Sequence, residues 1–208
     1  MEKVKTLKKF DRYDMLRVFF LIGKKGKVAR QKLSKLSGIG EGSIRNILRI
    51  LSKRKLVVTT PKGSELSPKG KKIFEQAMEL FTLPKKIKYD VFKDGLDGYA
   101  SVVKKYERER IKELYKARDF AIRKGCHSAM VLICNRSGSI KIPYVRKWNF
   151  NALHEELEVL PNQLVVLASS KTRKITEKGI FSILEYLSEE IAKLFKRIAG
   201  ISRDKNFV

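Results

Sequence analysis

The chain has 208 residues and carries 47 Lys and Arg against 22 Asp and Glu, a formal net charge of +25 at pH 7. With 43% hydrophobic residues it can bury one large core or two modest ones, which excludes a disordered polyelectrolyte. No run reaches the roughly 18 apolar residues of a membrane span. Met1 to Lys9 lacks the apolar stretch of a signal peptide, so a cytoplasmic, soluble protein is expected.

Cys126 and Cys134 are too few for a disulfide framework, and a reducing compartment would keep them as thiols. The richness in Lys, Arg and Glu resembles hyperthermophile proteins, in which intracellular disulfides do occur. Charge is denser at the front: residues 1–80 hold 21 basic against 7 acidic groups, the remainder 26 against 15. A polyanionic partner is implied, because neutralising phosphates releases condensed counterions.

Residues 1–9 form a basic arm, Lys3, Lys5, Lys8 and Lys9, suited equally to tracking a DNA groove or to solubilising the chain. Asp11 with Asp14 three residues on predicts a helix start. Met15, Leu16, Val18, Phe19, Phe20 and Ile22 then make that helix apolar nearly all round, up to Gly23 and Gly26. Arg30 to Ser37 is a short amphipathic helix closed by Gly38, and Gly38-Ile39-Gly40 is a tight turn. From Glu41 to Arg54, Ile44, Ile47, Leu48 and Leu51 fall at i, i+3, i+4 and i+7, one apolar face of a third helix whose other face is basic. Leu56 to Thr60 reads as a strand, Pro61 to Ser64 as a turn and Glu65-Leu66 as a return strand. Ser67 followed by Pro68 is an N-cap with proline at the first helical position, opening a helix through Ile73, Phe74, Ala77, Leu80 and Phe81.

Three helices, a hairpin and the phrase Leu66-Ser67-Pro68-Lys69-Gly70 resemble winged helix-turn-helix transcription regulators of the MarR and PadR type. The stretch Leu51 to Val57 matches the exit from their recognition helix, with Lys55 where glycine is more usual. The whole chain also resembles an archaeal family joining such a domain to a C-terminal domain of uncharacterised function. The resemblance implies DNA binding by residues 10–83.

A helix entering the major groove presents its N-terminal outward residues to base edges, here Ser43, Arg45, Asn46 and Arg49. Arg30, Gln31 and Lys32 on the preceding helix, Lys53 at the end of the third and Lys62 at the hairpin tip would instead meet the DNA backbone.

Residues 84–94 read as a linker to an α+β domain over 95–208. Gly98 to Val103 is a strand, and Glu107 to Lys124 a helix with Ile111, Leu114, Tyr115, Ala121 and Ile122 inward, closed by Gly125. Ala129 to Cys134 and Ile140 to Pro143 are strands joined at Ser137-Gly138, Asn151 to Leu157 is a helix, and Leu164 to Ala168 a buried strand. The order β-α-β-β-α-β predicts a ferredoxin-like sheet. A long C-terminal helix over Thr176 to Ile198 sets Ile180, Leu184, Leu187, Ile191, Leu194 and Ile198 on a heptad seam, broadened by Phe181, Ile183 and Phe195. That face suits packing on the sheet and pairing in a homodimer.

No phosphate-loop, dinucleotide or zinc-protease motif occurs, so no enzyme, cofactor or metal is expected. Cys126, His127, Cys134 and His154 match no zinc spacing. The loop Ser169-Ser170-Lys171-Thr172-Arg173-Lys174, leading into a helix, is a candidate site for a small anionic effector, weighed against an ordinary solvated basic loop. The expected function is transcription regulation on duplex DNA, with the C-terminal domain dimerising or sensing a small molecule. The alternative is a nucleotide- or RNA-acting enzyme docked by its winged helix.

Overall fold

A computed structural model of the chain describes residues 10–143, 150 and 152–200. The basic arm 1–9 and Asn151 lie outside these described residues, as do 144–149 and 201–208. Two compact units are present, one of residues 1–72 with 196–208 and the other of residues 73–195.

The first unit is built on α1 (Arg12–Lys25), α2 (Arg30–Ser37), α3 (Glu41–Lys53), β1 (Val57–Thr60), β2 (Gly63–Leu66) and the start of α4 (Pro68–Leu80). Asp11 and Asp14 each accept the other's backbone N–H, at 2.9 and 3.2 Å, so two of the orphan donors at the start of α1 are satisfied reciprocally. Tyr13, Leu16, Val18, Phe19 and Ile22 are almost wholly buried, which makes α1 the centre of this core, as its all-round apolar sequence requires.

Lys55 takes the left-handed conformation, φ 60°, where glycine is the usual choice. On either side of it the Lys55 N–H reaches the Ser52 carbonyl at 2.8 Å and the Leu56 N–H reaches the Leu51 carbonyl at 3.0 Å. These are the two bonds of a Schellman stop, with Leu51 and Leu56 buried on its apolar side. Ser67 then caps α4 by accepting the Gly70 N–H at 3.0 Å, and the Gly70 Cα lies so near the Leu56 carbonyl that a β-carbon has no room.

The second unit holds β3 (Lys85–Lys86), β4 (Gly98–Val103), a 3-10 helix (Arg108–Glu113), α5 (Leu114–Ile122), β5 (Ser128–Cys134), β6 (Ile140–Lys141), α6 (Ala152–Leu157), β7 (Leu164–Ser169), α7 (Arg173–Leu187) and most of α8 (Glu189–Ala199). The five strands form one antiparallel sheet in the order β3-β4-β7-β5-β6. Ala100, Val102, Val165, Leu167, Leu132 and Cys134 share one face with Phe150 and Leu153. The alternate residues of β4, β5 and β7 turn to the other face, where α5 and α7 pack.

Several elements differ from expectation. The β-α-β-β-α-β order is present, but a ferredoxin-like split needs two of its strands adjacent and parallel, and among the described residues no strand pair is parallel. β7 takes the central place because all six of its residues are apolar or small and buried on both faces, whereas β6 is two residues long and grips only the end of β5. The stretch 84–94 is no free linker. Lys85 and Lys86 pair with β4 and Ile87 and Val91 enter the core. Phe81 seats edge-on against Phe195, itself edge-on to Phe181, so the end of α4 belongs to the second unit.

Tyr115 and Ile122 are 65% and 38% exposed rather than inward. The segment begins as a 3-10 helix, whose three residues per turn shift the phase of the following face to Leu114, Ala117 and Ala121. The long C-terminal helix is two helices. Ser188 is extended, φ −144°, ψ 122°, and restarts the chain as α8 while Glu107 accepts the Glu189 N–H at 2.8 Å. The seam residues Ile180 to Ile198 are each at most 4% exposed, so the face expected to pair two copies is spent inside the chain.

Among the described residues no helix is long and apolar enough to cross a membrane, and no group of three or more His, Cys, Asp or Glu is placed to hold a metal. Cys126 and Cys134 are buried free thiols.

Candidate nucleic-acid interface

The charge division sharpens once the units are known. Residues 1–72 with 196–208 carry 25 Lys and Arg against 6 Asp and Glu, a net +19 in the smaller unit; residues 73–195 carry 22 against 16, a net +6. Long-range attraction for a polyanion therefore resides in the first unit.

Within it, α2 and α3 meet through a turn that is tied at every step. Gly38 is left-handed, φ 65°, and its N–H returns to the Ser34 carbonyl. Ser34 Oγ donates to the Ile39 carbonyl at 2.6 Å, and the buried Arg17 guanidinium donates to the Ser37 carbonyl at 2.8 Å. Ile39 is buried beneath the turn. The crossing of α2 and α3 is thereby rigid, which a helix presenting side chains to a rigid ligand needs.

Burial of Ile44, Ile47, Leu48 and Leu51 fixes the rotation of α3 about its axis. Arg45, Asn46, Arg49 and Lys53 are exposed as a consequence. Ser43 is only half exposed, since two helical steps before Arg45 is about 200° round the wheel and puts it on the flank.

The hairpin is anchored independently. Thr60 pairs with Gly63, leaving Pro61 and Lys62 as a two-residue tip, and Thr60 Oγ1 donates to the Gly63 carbonyl at 3.1 Å. Val28 and Ser64 exchange backbone bonds at 2.9 Å each, so the segment before α2 acts as a third partner to the hairpin. Gly63, φ 132°, lies against the Val28 carbonyl with no space for a side chain. The close approach dictates that glycine.

Between α2, α3 and the hairpin lies an open groove of about 520 Å³, lined among others by Arg30, Gln31, Arg45, Arg49, Thr59 and Thr60. Four sequence-selected residues, Arg30, Gln31, Arg45 and Arg49, are thus brought to one concave surface. Ser43, Asn46, Lys32, Lys53 and Lys62 are not among its lining residues. Sequence reasoning missed the hydroxyls of Thr59, Thr60 and Ser52 on the groove walls, and also Glu41, whose carboxylate lies 3.5 Å from Arg30 Nε. The signal for Glu41 was its place four residues before Arg45 on the same helix face.

The other candidate loop is mostly occupied by its own chain. Ser169 is fully buried and donates to Asp94 Oδ2 at 2.6 Å, and Ser170 shares a 2.8 Å bond with Thr176. Thr172 caps α7 by accepting the Ile175 N–H at 3.3 Å. Arg173 lies 2.7 Å from Glu177, with its guanidinium over the Tyr99 ring. The loop reads as a sheet-to-helix junction held by internal bonds, with Lys171 exposed.

No family model matches the chain, and no curated protein matches it. A solved structure of a hypothetical protein from Pyrococcus horikoshii OT3 is similar at 25% identity with a TM-score of 0.71, over 89% of this chain and 99% of that one. At 89% of this chain, the likeness reaches into both units.

Proposed function

We propose that the first unit is a winged helix-turn-helix, with α3 as recognition helix and β1-β2 as wing, and that the protein is a transcription regulator binding duplex DNA. The observation that supports this most is the groove: cationic and amide side chains from two helices and hydroxyls from a hairpin converge on one surface of a unit with net charge +19. An α-helix with its exposed face in the major groove would bring Arg45 and Arg49 to guanine O6 and N7 and Asn46 to adenine N6 and N7. Arg30, Gln31, Lys32, Lys53 and Lys62 would hold phosphates and set the register.

The test is selection of bound duplexes from genomic fragments by the full-length protein at two salt concentrations, followed by Arg45→Ala and Arg49→Ala. Retention of a defined site against excess random competitor, with preference lost in both variants, is the expected result. Unchanged selectivity in both variants would overturn the assignment of α3. Charge alone guarantees some binding, so salt-sensitive binding without any preferred site would count against a regulator.

A further inference from the structure

We propose that Glu41 is a specificity-determining residue of this interface, accepting a hydrogen bond from a base amino group, cytosine N4 by preference. The inference rests on the duplex-binding reading above and deepens it.

Acids are scarce in the first unit, and those described elsewhere in it have structural duties. Asp11 and Asp14 cap α1, and Glu65 on β2 lies 3.3 Å from Lys27. Glu41 is different. It is the first residue of α3, its carboxylate is about half exposed at 48%, and although it does not itself line the groove it stands next to Arg30 and one helical turn from Arg45, which both do. A negative charge there opposes the field that the rest of the unit builds, and it repels phosphate wherever the protein sits on DNA. Affinity alone would be better served by any neutral residue.

A carboxylate accepts and cannot donate. In the major groove the amino groups of cytosine and adenine are the donors it can meet, while guanine and thymine present acceptors that repel it. Arg45 on the adjacent turn has the opposite taste, bridging the two guanine acceptors. The pair on one helix edge therefore suits the two edges of neighbouring G·C pairs.

Arg30 completes the device. In the free protein it lies 3.5 Å from Glu41 with both side chains roughly half exposed, an ion pair weak enough to exchange. On DNA a phosphate can take Arg30, leaving Glu41 to a base. Where the base offers an acceptor instead, Glu41 keeps Arg30 from the phosphate, and the wrong site loses two interactions together.

Full-length protein would be titrated against its selected duplex, against every single-base-pair variant of that duplex and against random-sequence duplex, for wild type, Glu41→Gln and Glu41→Ala. The exposed position should leave helix content and thermal midpoint within a degree or two of wild type (on the order of the shifts seen for surface sites). Both variants should bind random duplex several-fold more tightly. Wild type should discriminate by about tenfold or more at one G·C pair, and Glu41→Ala should lose that discrimination there alone. A profile for Glu41→Ala that matches wild type at every base pair overturns this inference while leaving duplex recognition intact. A wild-type protein that selects no duplex overturns the duplex-binding reading and this inference with it.

Discussion

The sulfur of Cys126 occupies the space that a β-carbon on Gly179 would need, at a place where α5 and α7 pack against each other. Ala121 is the next atom group that such a carbon would meet, at 3.2 Å. Gly179→Ala should therefore cost about 1–3 kcal/mol by overpacking, read as a lower denaturant midpoint. Burial pushes the Cys126 thiol up to about 12, against an ordinary value of 9.0. Between those values the unfolded chain gives up a proton that the folded chain keeps, so stability must fall as pH rises from about 9 towards 12. The unfolding free energy of wild type should drop more steeply over that window than that of Cys126→Ala, by up to about 1.4 kcal/mol per pH unit. Parallel curves would refute it. Below pH 9 the thiol should resist alkylation until the chain unfolds.

Lys55 sits at φ 60° with both Schellman bonds made around it. Lys55→Gly should raise stability by about 0.5–1 kcal/mol, the strain relieved less the extra freedom of the unfolded chain. Lys55→Val, β-branched and intolerant of this conformation, should lower it by more. A thermal melt of the three proteins checks the order.

Gly42 lies in the first turn of α3, and a β-carbon there would meet nothing within 4 Å. The fold has no need of glycine at that position. Gly42→Ala should stabilise the isolated protein by up to about 0.5–1 kcal/mol through helix propensity. If α3 enters a DNA groove, the same methyl group should weaken duplex binding by crowding the approaching helix end. A melt and a binding titration on one sample test both halves, and improved stability with improved binding would argue against docking by this end of α3.

Lys62, at the exposed hairpin tip, supplies charge without base readout in the proposed mode. Lys62→Ala should weaken binding by a similar factor for all sequences and reduce the slope of log K against log salt by about 1. A change in base preference would move the wing tip from backbone to base contact.

Much of the first unit was legible because its signals are local. The Asp11-Asp14 capping box, the Ser67-Pro68 start of α4 and the Gly38 stop act within a few residues, and each is where the sequence placed it. The apolar stripe of α3 likewise told which of its residues are exposed. Strand order in the second unit was not legible, because pairing of β7 with β4 and β5 joins residues more than 30 apart and depends on which strand can be buried on both faces. The break at Ser188 was hidden by a heptad pattern that runs through it unchanged, since the apolar spacing is the same whether the core is met by one helix or two. For the candidate site, Arg45 and Arg49 could be read from one helix, whereas Thr59 and Thr60 acquire meaning only when hairpin and helices share a groove, and Glu41 only when α2 brings Arg30 to it.

The division of charge, +19 in one unit and +6 in the other, bears on kinetics as much as on affinity. A molecule so charged is turned while still in free diffusion, and the strongly basic unit leads it towards any polyanion. Encounter should be fast at low ionic strength and slow steeply as counterions shield the approach within roughly 10 Å at 0.1 M salt. Time spent searching, as well as time spent bound, is then what the cell's salt would set.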